Sequence, residues 1–180
     1  QMNEKEINSD KFMPMEVGTC VEFSKKFNNV LWLGSTISGF FKYDLSTGNF
    51  KQYNYDFKNI GSLNNYINYI FEDSKGIVWI ATANSLLRFD PASEKIDRYD
   101  QKDGLPSNQI NSIVEDLEGN LWINTSAGLS KLNKNAPKGK WNFVNFDTRD
   151  GLPGFSNSKA NWISKDGEIF IGSNDGIVSF

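Results

Sequence analysis

Four aromatic residues recur at nearly even spacing. They are Trp32, Trp79, Trp122 and Phe170, separated by 47, 43 and 48 residues. Each stands inside the same local pattern. Around Trp122 it reads INSIVEDLEGNLWINTSAGLSKL (residues 110–132), three short apolar runs divided by Asp116-Leu117-Glu118-Gly119 and by Thr125-Ser126-Ala127-Gly128. The runs are too short for helices and are bounded by turn-forming residues, so they read as three antiparallel strands. INYIFEDSKGIVWIATANSLLRF, CVEFSKKFNNVLWLGSTISGFFKY and SKANWISKDGEIFIGSNDGIVSF repeat the pattern around Trp79, Trp32 and Phe170.

A period of roughly 40–50 residues with about four strands per repeat is that of β-propeller blades. One such sheet cannot bury both of its faces alone, so the repeats must pack on one another. The expected fold is therefore all-β, with four repeats of about four antiparallel strands each and almost no helix. The blades fall near residues 20–53, 67–99, 110–146 and 160–180. They make either one propeller domain over 1–180 or an arc of a larger propeller. Pro14 keeps the phase of Pro106 and Pro153, and Ile7 precedes it as Tyr99 and Phe146 precede theirs. Residues 4–7 are thus a candidate outer strand that closes the last blade. Such closure can occur within one chain or by exchange between two chains in a homodimer, and it would cover an otherwise open strand edge.

The first turn of each blade is the most regular feature. It reads Asp73-Ser74-Lys75-Gly76, Asp116-Leu117-Glu118-Gly119 and Ser164-Lys165-Asp166-Gly167, with the anchoring aromatic three residues after each Gly. A short polar residue opens the turn and Gly takes the positive-φ position. Blade one has Asn29 there, a residue that also tolerates that region. The repetition of Glu72-Asp73 as Glu115-Asp116 makes these acids turn residues rather than a catalytic pair. They are close to a sialidase-type Asp box, but each Asp stands three before the Gly instead of two. Between blades run Asp103-Gly104-Leu105-Pro106 and Asp150-Gly151-Leu152-Pro153, whose Leu is expected in the seam between blades.

Composition removes several function classes. Net charge is −3, from 19 basic and 22 acidic residues, and no basic stripe is visible, so nucleic acid is not an expected partner. No apolar run approaches 18 residues, so no membrane contact by this chain is expected. Histidine is absent, which excludes His-based triads and His-containing metal sites. The single cysteine, Cys20, reads as a packed core thiol. No phosphate loop, metal cluster or nucleophile constellation is present, and no cofactor is implied.

Asn65–Pro91 and Asn108–Asn133 resemble the two-component regulator propeller repeat. That repeat has an Asp-x-x-Gly-x-x-Trp turn, a small pair, and Gly-Leu before the third strand. The small pair is Gly34-Ser35, Ala81-Thr82, Asn124-Thr125 and Gly172-Ser173; Gly-Leu stands at Gly128-Leu129, is approximated at Gly176-Ile177 and is replaced at Ser85-Leu86. The resemblance covers nearly the whole chain from Cys20 on. It implies the extracytoplasmic, periplasmic sensor region of a hybrid two-component system. The expected role is non-enzymatic sensing of a glycan-derived small molecule or oligosaccharide, in a parent that carries a histidine kinase.

If strands run from inner to outer, the linkers and the loops between second and third strands share one face. Asn65, Asn68, Ser107, Asn108, Gln109, Phe155 and Asn157 are the candidate ligand-binding residues there. Amides and hydroxyls beside aromatic rings suit a sugar, although the same residues are ordinary turn formers. Two other classes stay open at this point: a propeller carbohydrate lyase or hydrolase, and a structural assembly module without ligand.

Overall fold

The computed structural model describes residues 18–54, 66–133, 142–154, 158–173 and 176–180. The first sheet contains β1 (Gly18–Phe23), β2 (Val30–Ser35), β3 (Phe40–Asp44) and β4 (Phe50–Tyr53). The second contains β5 (Ile67–Glu72), β6 (Val78–Thr82), β7 (Leu86–Asp90) and β8 (Lys95–Tyr99). The third contains β9 (Ile110–Glu115), β10 (Leu121–Thr125), β11 (Gly128–Leu132) and β12 (Phe143–Phe146). The fourth contains β13 (Asn161–Ile163), β14 (Ile169–Ser173) and β15 (Gly176–Ser179). Neighbours in sequence are neighbours in each sheet, all antiparallel, and the sheets are the four blades of a propeller. The only helical elements among the described residues are 3-10 turns at Gln101–Asp103 and Thr148–Asp150. The proposed closing strand at residues 4–7 lies outside the described residues.

Strand alternation sends one set of side chains toward the preceding blade and the other toward the following one. Between blades one and two, Trp32 and Phe40 meet Ile67, Ile70, Val78, Ile80 and Phe89. Between blades two and three, Phe71, Trp79 and Leu86 meet Ile110, Ile113, Leu121 and Ile123. The third seam is smaller, with Val114 and Leu129 against Ile169 and Ile171. The aromatic anchors are therefore not equivalent. Trp32 and Trp79 are fully buried, whereas Trp122 and Phe170 are only half-buried. Trp122 borders an open groove beside the last blade. Phe170 is turned away from blade three.

The first turn explains why Asp, Gly and Trp travel together. Asp73 Oδ1 accepts from the N–H of Lys75 (2.9 Å) and Ile77 (3.0 Å), and its Oδ2 accepts from Trp79 Nε1 (2.9 Å). Asp116 does the same with Glu118 N (3.0 Å), Asn120 N (2.7 Å) and Trp122 Nε1 (3.0 Å). Gly76 and Gly119 both take φ 81°, and Asn29 takes φ 59° in blade one, as the turn reading requires. Blade one opens its turn with Ser24, and its indole is served from the neighbouring blade. Trp32 Nε1 donates to Glu72 Oε2 (2.7 Å), while Glu72 Oε1 accepts from Lys26 N (2.8 Å). In blade four Phe170 has no N–H, and Ser164 replaces the carboxylate, its Oγ accepting from Glu168 N (2.9 Å). The paired acids thus hold turns and indoles.

The linkers begin with reciprocally capped 3-10 turns. Asp100 accepts from Lys102 N and donates its own N–H to Asp103; Asp147 repeats this with Arg149 and Asp150. Leu105 is buried in the seam between blades two and three, as expected, and Leu152 packs at the next seam.

Replacing Asp73 by Ala would strand three donors, one of them a buried indole. We expect a loss of roughly 3 kcal/mol in denaturant melts, since each buried group left without a partner costs about 1–3 kcal/mol. Asp116 gives a pH-dependent counterpart. Burial pushes its carboxyl up, but hydrogen bonds from Asn120 and Trp122 and the Lys131 charge outweigh it and hold it below the ordinary aspartate range. A depressed folded-state pKa contributes stability above the unfolded value, which is lost as pH falls through the folded one. The melting temperature of Asp116→Asn should therefore fall less steeply than that of the parent below about pH 4.

Candidate ligand-binding face

The loops between second and third strands are built by one hydroxyl per blade. Ser35 Oγ donates to Gly39 O (2.9 Å), Thr82 Oγ1 to Ser85 O (2.8 Å), Thr125 Oγ1 to Gly128 O (2.7 Å) and Ser173 Oγ to Gly176 O (3.2 Å). This accounts for the second residue of each small pair. At Gly34 the first residue is small because the inner strands of its own and of the next blade both pass close by. A Cβ on Gly34 would lie 2.6 Å from Cys20 Sγ and 2.7 Å from Ile67 Cγ2. Each loop is then tied to the start of an inner strand, through Ala83 N to Tyr66 O (3.1 Å) and Ser126 N to Gln109 O (3.1 Å). Linkers and loops therefore share a face, at least in blades two and three.

The sequence-derived candidates have mixed placements. Ser107 Oγ lies 2.7 Å from Ser126 Oγ and accepts from Gln109 N (3.1 Å). Asn108 Oδ1 accepts from Gln101 N (2.8 Å), which fastens the linker to its own 3-10 turn. Ser107, Asn108 and Gln109 thus stand together on the rim. Asn68 is buried instead, and its Nδ2 donates to Ile110 O across the seam (2.7 Å). Asn65, Phe155 and Asn157 lie outside the described residues.

A second polar group was not singled out from the sequence. Tyr69 Oη donates to Asn161 Oδ1 (3.4 Å), joining the inner strands of blades two and four. Burial raises the Tyr69 hydroxyl above its usual pKa, and it raises the carboxyl of Glu22 and the thiol of Cys20 likewise. Lys159 Nζ sits over the Tyr66 ring, 5.8 Å from its centroid. Asn124 Nδ2 donates to Ser158 O (3.1 Å), while Asn124 Oδ1, Ser112 Oγ and Asn161 Nδ2 are buried without a hydrogen-bond partner. Ser112 and Asn124 are cross-strand partners, so both point to one side of blade three. An acceptor, a donor and a hydroxyl are a set that can satisfy a hydroxylated molecule. The signal in the sequence was a polar residue at an apolar phase: Asn124 stands where blades one and two have Gly34 and Ala81.

Two grooves lie along the seam between blades three and four. A groove of about 380 Å³ is lined by Trp122, Leu129, Phe146, Leu152, Val178 and Phe180. A smaller one, about 280 Å³, runs past Asp116, Lys131 and Asp166. Among the described residues no group of three or more His, Cys, Asp or Glu side chains could hold a metal ion.

The two-component regulator propeller family model matches residues 61–84 and 104–127. Curated proteins give no match. Among solved structures, the chain is similar to the extracellular domain of a B. thetaiotaomicron protein assigned as the hybrid two-component system BT3049. The identity is 26% over 93% of this chain and 22% of that one, with a TM-score of 0.76. The BT4673 extracellular domain from the same organism is 20% identical over 94% of this chain and 22% of its own, with a TM-score of 0.68. PorZ, a surface component of the type-IX secretion system of Porphyromonas gingivalis, is 16% identical over 90% and 24%, with a TM-score of 0.67. The last two share the fold alone. This chain spans less than a quarter of each of these structures.

The loop hydroxyls should be structural rather than ligand-binding. Thr82 Oγ1 also accepts from Ser85 N (2.9 Å) in a buried position. Thr82→Val keeps the shape and strands that N–H, and should cost about 1–3 kcal/mol in thermal or denaturant unfolding, whereas Thr82→Ser should be nearly neutral.

Proposed function

Because the chain carries two-component regulator propeller repeats, we propose that it is a ligand-sensing module. It recognises a glycan-derived small molecule on the face that bears the linkers. It works in the periplasm, as part of a sensor whose kinase lies in the rest of the parent protein. Two repeats match the family model in register, and the similar BT3049 domain is extracellular. No helix among the described residues is long and apolar enough to cross a membrane.

The observation that carries the ligand class is the rim itself. Ser107 and Ser126 bring hydroxyls that also bond one another, Asn108 brings an amide whose Oδ1 is held by Gln101 N, and the Lys159 ammonium lies over the Tyr66 ring. Neutral or acidic oligosaccharides suit that combination, since a pyranose presents hydroxyls at its edges and an apolar face to a ring. Binding without turnover is the expected chemistry. The adjacent acids that a hydrolase reading would use are engaged elsewhere: Glu72 and Asp73 hold indole N–H groups, and Glu115 binds the neighbouring turn at Ser74.

A glycan array followed by calorimetry on the hits tests this reading. We expect one saturable oligosaccharide class and an affinity loss of tenfold or more for Lys159→Ala at an unchanged melting temperature; Ser107→Ala with Asn108→Ala should weaken binding and also lower the melting temperature, because both side chains hold the linker. Absence of any saturable glycan, or release of shortened sugars from the bound one, would overturn it.

A further inference from the structure

The inner end of the third seam differs from that of the first two. At seams one and two the following blade presents Ile67 and Ile70, or Ile110 and Ile113, all buried in apolar clusters. Blade four presents Ser158 and Asn161 instead, with the same spacing of three. Asn161 pairs with Ile171 as Ile70 pairs with Ile80 and Ile113 with Ile123, so the register positions are equivalent. The preceding blade changes in step. Asn124 stands where blades one and two have Gly34 and Ala81, and Ser112 is its cross-strand partner. Two adjoining blades thus supply a polar set at positions that the other seams keep apolar or small.

These side chains are partly used and partly left over. Asn124 Nδ2 donates across the seam to Ser158 O (3.1 Å), and Asn161 Oδ1 accepts from Tyr69 Oη (3.4 Å). Asn124 Oδ1, Asn161 Nδ2 and Ser112 Oγ are buried without a partner, and Ser112 and Asn124 are each only 1% exposed. What remains is one acceptor, one donor and one hydroxyl that can serve as either. A buried polar group without a partner is costly, so a group that satisfies all three is held firmly. Charge does not fit, because an ammonium only donates and a carboxylate only accepts, and each would leave one amide atom facing its own kind. A neutral hydroxyl does both. On average a buried water makes about three hydrogen bonds, the number on offer here.

We propose that the inner end of the third seam is a binding site for a neutral hydroxyl group, gripped between Asn124 of blade three and Asn161 of blade four. The hydroxyl donates to Asn124 Oδ1, accepts from Asn161 Nδ2 and bonds Ser112 Oγ in either sense. Tyr69 selects the chemistry from blade two, because its hydroxyl occupies Asn161 Oδ1 and leaves Nδ2 as the atom on offer. Two molecules carry such a hydroxyl, a water and a sugar. The sugar source rests on the glycan-sensing reading above; the water source does not. In both cases the site is separate from the rim of Ser107 and Asn108.

Crystals of the full chain at a resolution that shows ordered solvent, alone and soaked with D-glucose, D-galactose or D-mannose, read the site directly. An oxygen atom within hydrogen-bond distance of both Asn124 Oδ1 and Asn161 Nδ2 is the expected result. If it stays in place with every sugar, water is the occupant. If a sugar hydroxyl takes its position, the site reads the ligand, and calorimetry should show the sugar lacking that hydroxyl binding about tenfold or more weakly. Asn124→Ala with Asn161→Ile copies the residues at Ala81 and Ile113 and should remove the oxygen while the circular dichroism spectrum is kept. A parent structure in which Asn124 Oδ1 and Asn161 Nδ2 bond one another directly, or in which no oxygen bridges them, would overturn the proposal, as would an oxygen that persists in the double variant. Failure of the glycan array would overturn the sensing reading alone, since the bridging oxygen is read without any sugar.

Discussion

An indole N–H buried in a seam has to find an acceptor, and in this protein a carboxylate at the start of a turn provides it. The other oxygen of the same Asp carboxylate accepts from two backbone N–H groups, so one side chain closes the hairpin and locks the ring that faces the next blade. Local turn geometry and inter-blade packing are therefore set by one group. Removing the indole removes the need for the carboxylate, and blade four has neither. Blade one keeps the indole but lacks the Asp, and a Glu of the following blade takes over. The repeat tolerates these exchanges because only the satisfied donor matters, not the strand that supplies the acceptor.

Seams are the source of stability in such an array, since a single blade has two apolar faces and no core of its own. Among the described residues the third seam is the smallest of the three. The first two bury large aromatic and aliphatic clusters, whereas the third leaves Trp122 half-covered beside a groove of about 380 Å³. The counterpart of that groove at the second seam is occupied by Phe143 from the fourth strand of blade three, which packs against the Tyr99 ring and the buried cluster around it. Apolar burial thus depends on outer strands as well as inner ones.

Polar residues on the linker face divide into two groups by what they already bind. Asn108 and the hydroxyls of Thr82 and Thr125 are engaged by their own loops. Ser112 and Asn161, on inner strands, and Asn124, on the second strand of blade three, are buried with hydrogen-bonding capacity left over, and Tyr69 donates to Asn161 beside them. The proposed sensing would draw on such leftover capacity, because groups held in place lose little entropy on binding.

Strands and turns were legible in the sequence because they rest on local rules. Two-residue alternation, a Gly (Asn29 in blade one) three before each aromatic anchor and a short polar turn opener set the blades to within a residue or two of the observed strands. The structural role of Glu72, Asp73, Glu115 and Asp116 followed from their repetition. The partner of Trp32 did not, because Glu72 is 40 residues away and reaches it only across a seam. Likewise Asn68 read as a surface amide, yet it is buried against Ile110 O, since its strand position faces blade three. The Tyr69–Asn161 contact spans 92 residues and joins blades two and four. Sequence periodicity fixed what each blade is. The placement of one blade against another decided which side chains meet, because that placement comes from packing summed over whole faces and not from any local pattern.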